Sequence, residues 1–76
     1  MKPNETTIRD AIDACGRGQR ASLDNMIDEY REACSLTYPG NAARQRHWQE
    51  RAMNIERRLI RFADSARRLA AETVAT

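Results

Sequence analysis

The sequence predicts an all-α protein: an antiparallel helical hairpin with a long C-terminal helix and a short N-terminal helix. Apolar residues recur at 4-3 spacing through the second half of the chain, a pattern that keeps one edge of a helix against a partner helix. Val occurs once, and Gly and Pro are scarce, so the composition favours helices over strands. Tyr38-Pro39-Gly40-Asn41 has Pro and Gly at the two centre positions of a type II turn, which predicts the connection between the last two helices.

The last helix is expected over residues 42–73, with Asn41 as its N-cap. Its apolar row, which we call the apolar seam, consists of Trp48, Ala52, Ile55, Leu59, Phe62, Ala66 and Leu69. Met53 and Ile60 lie on one flank of this row and Ala63 and Ala70 on the other, so the face is wider than a single antiparallel helix can cover. This surplus predicts a third helix, a second copy of the chain or a helix of another protein, and we expect a helical bundle formed as a homodimer or with another protein. The expected contact residues are Trp48, Met53, Ile55, Leu59, Ile60, Phe62 and Leu69.

The first half of the chain predicts two shorter helices, over residues 7–15 and 22–36. Between them, the two glycines of Gly16-Arg17-Gly18 together cost a helix about 2 kcal/mol relative to alanine, which favours a break. A single helix through both segments stays open as an alternative, because the apolar phase is nearly continuous across the glycines. Residues 1–5 are polar and are expected to be frayed. The expected N-caps of the two helices are Thr7 and Ser22.

Length and composition indicate one soluble globular domain over residues 1–76, with 32% charged and 41% hydrophobic residues. The net charge of +2 divides unevenly along the chain. Residues 1–40 carry five basic and seven acidic side chains (−2), and residues 41–76 carry eight and four (+4). Opposite charges favour pairing of the two halves with each other. Neither a signal-peptide pattern nor an apolar run of membrane-spanning length is found, so a cytoplasmic location is expected.

Side chains capable of catalysis are few and scattered, so we expect no enzyme, no cofactor and no metal site. His47 is the only histidine, and pairing it with Glu50 or Cys34 does not supply the three or four ligands of a zinc site. Cys34 with His47 also lacks the third group and the oxyanion site that a nucleophile pair needs. Cys15 and Cys34 are expected to be reduced thiols. Trp48 lies on the apolar seam, which favours a core position over an anchor for a partner.

The densest group of positive charges lies on the last helix. This arginine cluster consists of Arg57, Arg58, Arg61, Arg67 and Arg68. Glu56 and Asp64 interrupt it, and neither a helix-turn-helix signature nor stacking aromatics accompany it. A solvated face with ion pairs is therefore the favoured interpretation. A nucleic-acid-associated dimer that uses the cluster stays an alternative.

The turn and the helix after it resemble a known family. Gly40-Asn41-Ala42 is followed by Trp48-Gln49, and then by Ile55-Glu56 and Leu59. This layout is similar to the second half of the small co-chaperones of type III secretion needle subunits, which come from bacteria. The resemblance implies a helical hairpin that, together with a repeat-type chaperone, shields the needle subunit's amphipathic helix and stops it polymerising in the cytoplasm. On that basis the seam facing the hairpin and the chaperone would contain Trp48, Ile55, Leu59 and Phe62.

A function from another class fits the same features: a small phage- or plasmid-encoded protein that binds and inhibits or regulates a host factor. Short length, a helical hairpin build and the lack of catalytic groups agree with it, and nothing in the sequence selects the target. The sequence thus predicts a non-catalytic protein-interaction module, with no small-molecule substrate and no membrane partner, and leaves the identity of the protein partner open.

Overall fold

The computed structural model describes residues 1–75, with side chains for residues 1–73. Within this range the chain forms three α-helices, one 3-10 turn and no strand, in the order α1 (Glu5–Ala14), 3-10 turn (Arg17–Gln19), α2 (Arg20–Ser35) and α3 (Ala42–Ala75). The all-α prediction and the long C-terminal helix are confirmed. The molecule measures 56 × 17 × 16 Å, and the 34 residues of α3 account for most of its length.

The turn between α2 and α3 has the predicted geometry. The backbone N–H of Asn41 donates to the carbonyl of Tyr38 at 3.1 Å, and Gly40 has a φ of 83°, as the third position of a type II turn requires. Asn41 then caps α3, because its Oδ1 accepts a hydrogen bond from the backbone N–H of Arg44 at 3.0 Å. The backbone N–H of Tyr38 donates to the Gln45 side chain at 2.8 Å. The hairpin is therefore closed by hydrogen bonds on both sides of the turn.

The first helix begins two residues earlier than predicted, and its N-cap is Asn4 rather than Thr7. The Oδ1 of Asn4 accepts a hydrogen bond from the backbone N–H of Thr7 at 3.2 Å. The residues before α1 are held in place rather than frayed. The backbone N–H of Asn4 donates to the Tyr30 hydroxyl at 2.7 Å, and its side-chain amide donates to Glu56 Oε1 at 3.0 Å. One residue therefore connects α1 to both other helices.

The chain breaks between α1 and α2, as the two glycines predict, and the alternative of one continuous helix is wrong. Cys15 leaves the helical region with a ψ of 132°, and the 3-10 turn follows. The second helix then starts at Arg20, two residues before the predicted start. Ser22 lies inside α2 and is exposed, so it is not the cap. The residue at the N-cap position is Gln19, whose side chain makes no capping hydrogen bond.

The first helix runs parallel to α3. Asn4 contacts Glu56, and Arg67 donates a hydrogen bond to the carboxylate of Asp10. Residue numbers thus increase together along the two helices, which fixes their relative direction. The hydrogen bond from Arg67 lowers the pKa of Asp10 below its usual value. Both side chains are about half exposed, so this pair positions α1 more than it stabilises the fold.

The first and third helices both run antiparallel to α2. Arg31 of α2 forms two hydrogen bonds to the carboxylate of Glu5 in α1, at 2.6 and 3.1 Å, which lowers the pKa of Glu5. On α3, Arg51 lies 3.9 Å from the carboxylate of Glu29. The opposite charges of the two halves of the chain therefore meet in part within the molecule, as the charge pattern predicts.

A single core runs between the helices. Its buried residues are Ile8, Ala11, Leu23, Ile27, Tyr30, Ala33, Cys34, Ala52, Ile55, Leu59, Ala63 and Ala66. The predicted seam is confirmed in its central part, with Leu59 at 0% exposure. The predicted seam includes Phe62, but in this turn of α3 the buried residue is its neighbour Ala63. Phe62 is half-buried. Burial of each large aliphatic side chain contributes about 1.5–3 kcal/mol to the free energy of folding.

Candidate functional site

Two of the predicted contact residues belong to the chain's own core. Ile55 is 1% exposed and Leu59 is 0% exposed, because α1 and α2 cover them. In this arrangement Leu59 is not available to a second chain, and Ile55 lines a cleft with only 1% of its surface exposed. Both residues mainly hold the three helices together, so the expectation that they anchor a partner is corrected.

The other predicted contact residues lie on two different sides of α3. Met53, Ile60 and Leu69 are 45%, 46% and 56% exposed. Because each residue advances about 100° around a helix, Ile60 and Phe62 lie about 200° apart. Met53 is a heptad before Ile60, and Leu69 is a heptad after Phe62, so each pair shares a side. One partner helix cannot contact both pairs, and the expectation of a common interface through all four residues does not fit this geometry.

The side of α3 that carries Met53 and Ile60 is the side where α1 packs. Glu56 and Arg67 make the contacts to α1, and both lie close to Ile60 around the helix. Ile60 therefore borders a surface that the chain already covers. The apolar area left there is limited to the outer edge of α3.

The opposite side of the α2–α3 hairpin is open. On α2, Arg31 contacts α1 and Glu29 contacts α3. These two residues are about 200° apart around α2, so α1 covers one side of the hairpin and leaves the other. A cleft of about 200 Å³ lies on this open side, lined by Glu29, Glu32, Ala33, Trp48, Arg51 and Ile55. We call the depression that contains this cleft the open groove.

Apolar side chains extend the open groove away from the turn. Met26 precedes Ala33 by one heptad and therefore shares its side of α2. On α3, Phe62 and Leu69 follow Trp48 on the groove side. Met26, Trp48 and Phe62 are partly buried against the core, whereas Leu69 is mostly exposed. The groove thus offers an apolar strip from Trp48 to Phe62, and Leu69 continues this strip on α3 alone, beyond the start of α2 at Arg20.

The drift of the heptad row explains why these residues are exposed. A residue repeated every seven positions rotates about 20° per heptad on a straight α-helix. The row of Ile55, Phe62 and Leu69 therefore moves steadily from the core toward the groove side, whereas the half-buried Trp48, one heptad before Ile55, does not follow this trend. Ile55 is 1% exposed and Leu69 is 56% exposed, which follows this rotation. A sequence period of 3.5 residues predicts one buried row of side chains. Because an α-helix has 3.6 residues per turn, the same row divides between the core and the surface.

The two sides of the open groove carry opposite charges. The α2 side presents the carboxylates of Glu29 and Glu32, and the α3 side presents the guanidinium groups of Arg51 and Arg58. Only Arg51 and Glu29 approach each other, and their distance of 3.9 Å is long for an ion pair. A ligand in the groove would therefore meet negative charge on one flank and positive charge on the other. The sequence does not identify Glu29, Glu32 and Arg51 as groove residues, because its charge pattern predicts only that the two halves of the chain pair with each other.

Trp48 stands at the turn end of the groove. Its ring contacts that of His47 edge-on, with the centroids 5.3 Å apart and an interplanar angle of 79°. Nearby, the guanidinium of Arg44 lies 4.9 Å from the ring centroid of Tyr38, which is half-buried. Trp48 is half-buried: one part of its ring packs on the core and another faces the groove. Its position therefore agrees in part with each sequence-based interpretation, a core residue and an anchor for a partner.

The arginine cluster divides into two parts. Arg67 bonds to Asp10 and belongs to the contact between α1 and α3. The other four members are exposed: Arg57, Arg58, Arg61 and Arg68. Among the described side chains, none of these four lies within 4.0 Å of a carboxylate, and Arg57 donates instead to Asn54 at 2.9 Å. The favoured interpretation as a face with ion pairs therefore holds for Arg67 and not for the rest.

Groups that could support chemistry are spread over the fold. Within the described side chains, three or more His, Cys, Asp or Glu residues do not converge anywhere as metal ligands would. Cys15 and Cys34 are free thiols, the first half-buried and the second buried. None of the helices in the described part of the chain combines the length and hydropathy needed to cross a lipid bilayer. No protein-family model, no curated protein and no solved structure matches the chain.

Proposed function

We propose that the chain is a non-catalytic protein-interaction module that takes up an amphipathic helix of a protein partner in the open groove. One observation carries the proposal: α1 fills one side of the α2–α3 hairpin and leaves the apolar strip on the other side uncovered. A fourth helix in the groove would complete a four-helix bundle and bury Trp48, Phe62 and Leu69. Shielding a partner helix in this way is what the resemblance to secretion co-chaperones implies, and an inhibitor of a host factor could use the same surface.

The chemistry of the groove describes the helix that it fits. An apolar face would pack against Trp48 and Phe62. Basic side chains on one flank would face Glu29 and Glu32, and acidic side chains on the other flank would face the α3 side of the groove. The hydrophobic contact would supply most of the affinity, and the charges would select the direction in which the helix lies.

Titration with a probe peptide tests this proposal. The probe is a designed amphipathic helix with one 4-3 row of leucines, lysines on one flank and glutamates on the other. Trp48 is the only tryptophan, so its fluorescence reports on the groove. Measured in dilute solution, saturable binding is expected for the wild type and for Ile60→Asp, and lost binding is expected for Leu69→Asp. Ile60 and Leu69 are both exposed aliphatic residues of α3, which makes the two variants a matched pair.

Two results would count against the proposal. Equal binding by Leu69→Asp and the wild type would place the probe elsewhere. Lost binding by Ile60→Asp with retained binding by Leu69→Asp would assign the contact to the side where α1 packs. A peptide of the same composition in scrambled order, which cannot form one apolar face, serves as the negative control.

A second candidate function rests on the four exposed arginines that have no carboxylate partner among the described residues. Their guanidinium groups could contact the phosphates of a nucleic acid, as the sequence-based alternative holds. Fluorescence anisotropy with a labelled DNA duplex and with a labelled RNA duplex tests this alternative. Binding that weakens steeply with salt and is lost in Arg57→Glu/Arg61→Glu/Arg68→Glu would support it. Absence of binding at low salt would eliminate it.

A further inference from the structure

We infer that, when no partner helix is present, a second copy of the chain occupies the open groove, related to the first by a two-fold axis parallel to the helices. This inference uses the groove of the proposed function and names its occupant in the unbound protein. Both copies would bury the same surface, because an interface with two-fold symmetry uses one patch twice. The predicted homodimer then has a defined interface, which excludes Met53 and Ile60.

The charges of the groove select this axis. A two-fold axis parallel to the helices places α2 of each copy opposite α3 of the other. The carboxylates of Glu29 and Glu32 then face the second copy's Arg51. A two-fold axis in the interface and perpendicular to the helices would place α2 against α2 and α3 against α3, so that like charges meet. The groove is self-complementary in the first arrangement only.

The positions of the residues along the helix axes also agree with a two-fold axis parallel to the helices. Rotation about a two-fold axis involves no translation, so equivalent residues of the two copies lie at the same height. Within one copy, Glu29 lies level with Arg51, at 3.9 Å, and Ala33 and Trp48 line the same cleft. The second copy's Arg51 therefore lies level with Glu29. Its Trp48 lies level with Ala33, where the small side chain leaves room for an indole ring.

The size of the groove predicts a weak dimer. From Trp48 to Phe62 the strip is about 21 Å long at the standard rise of an α-helix, and the molecule is 16–17 Å across. The product is on the order of 350 Å² per copy, below the range of stable protein–protein interfaces. A reversible dimer that dissociates on dilution is therefore expected, and such a dimer can yield the groove to a partner helix.

Sedimentation velocity over a wide range of protein concentration tests the inference. The wild type is expected to change reversibly from monomer to dimer. Glu29→Arg/Glu32→Arg and Arg51→Glu are each expected to remain monomeric when alone, because like charges then face each other. An equimolar mixture of the two variants is expected to form a heterodimer, because every facing pair is again opposite in sign. The matched control is Asp13→Arg/Asp64→Arg, which changes two exposed acids on α1 and on the side of α3 where α1 packs, and should dimerise like the wild type.

A distance measurement between the two copies tests the direction of the two-fold axis. Spin labels on Thr37→Cys, in a chain that also carries Cys15→Ser, report the distance between the two turns. The parallel axis places both turns at one end of the dimer, whereas the perpendicular axis separates them by most of the 56 Å length of the molecule. A long distance would overturn the proposed axis. Cys34 is 2% exposed and does not compete for the label.

Three results would overturn the inference, and none of them decides the peptide experiment. A wild-type chain that stays monomeric at all concentrations shows that the groove does not take up a second copy. A dimer that Ile60→Asp abolishes and Leu69→Asp leaves intact lies on the other side of α3. A dimer that survives both charge-reversal variants does not use the charged sides of the groove. Because the probe titration is done in dilute solution, failure of self-association leaves the uptake of a partner helix open to its own test.

Discussion

The hydroxyl of Tyr30 accepts a hydrogen bond from the backbone N–H of Asn4 at 2.7 Å, and this contact joins the beginning of α1 to the middle of α2. Tyr30 is completely buried, so the hydroxyl depends on this partner in place of water. Through the same residue, the side-chain amide of Asn4 reaches Glu56 on α3. The placement of α1 on one side of the hairpin, and hence the existence of an open groove on the other, depends on this junction.

Loss of this junction should destabilise the fold. Tyr30→Phe leaves the backbone N–H of Asn4 without its acceptor and should cost about 1–2 kcal/mol of unfolding free energy. Asn4→Ala removes the helix cap and the bond to Glu56 and should cost about 1 kcal/mol or more. Urea denaturation measures both changes. The control is Asn25→Ala, an exposed asparagine within α2, which should change stability little; an equal loss in all three variants would contradict this role of Asn4.

The stability of the protein should fall at alkaline pH. Burial raises the pKa of the Tyr30 hydroxyl and of the Cys34 thiol above their ordinary values. The unfolded chain therefore releases these protons at lower pH than the folded chain. The contribution of these two groups to the free energy of unfolding is fully present below about pH 8. It is lost as the pH rises through their raised pKa values. Urea denaturation at a series of pH values should show this decline, and Tyr30→Phe/Cys34→Ala should flatten it; an unchanged slope in the double variant would contradict the assignment.

Substitution of two glycines should have opposite effects. Gly40 has a φ of 83°, so Gly40→Ala should cost about 1–2 kcal/mol although no atom blocks the new methyl group. Gly18 has no left-handed φ and no neighbour within 4 Å of an added Cβ. Gly18→Ala should therefore leave stability unchanged or raise it by about 0.4–1 kcal/mol, through the unfolded chain. Thermal denaturation of the two variants measures both effects. An equal loss of stability in both would show that the turn does not depend on the left-handed conformation of Gly40.

Two neighbouring residues of the predicted seam should respond differently to substitution. Leu59→Ala leaves a cavity in the core and should cost about 2–5 kcal/mol. Phe62→Asp removes a half-buried side chain on the groove side, so it should retain the helical fold while losing self-association and peptide binding. Circular dichroism separates folding from assembly. A folded Leu59→Ala with unchanged stability, or an unfolded Phe62→Asp, would contradict the division of the seam into core and groove.

Local signals in the sequence suffice for the helices and the turn. Pro39 and Gly40 act through their own backbone preferences, and the hydrogen bonds of Tyr38 and Asn41 follow from them. The N-terminal residues could not be predicted in the same way. Asn4 is held by Tyr30 and Glu56, which are distant in sequence, and no local pattern announces such partners.

The groove depends on which helix covers which side of α3. Apolar spacing identifies Met53 and Ile60 as surplus, and both are exposed, but it places the exposed Leu69 in the seam. It does not show that the first two border α1 while Leu69 borders the groove, because that division follows from the tertiary position of α1. The rotation of a heptad row on a straight helix is the signal that could have separated Phe62 and Leu69 from the core.

The indole resonance of Trp48 in a ¹⁵N–¹H NMR titration with the probe peptide tests the central claim most directly. We expect a saturable shift in the wild type and in Ile60→Asp, and no shift in Leu69→Asp. An indole signal that does not move in the wild type, or that moves equally in Leu69→Asp, would show that the open side of the hairpin is not where this protein binds a helix.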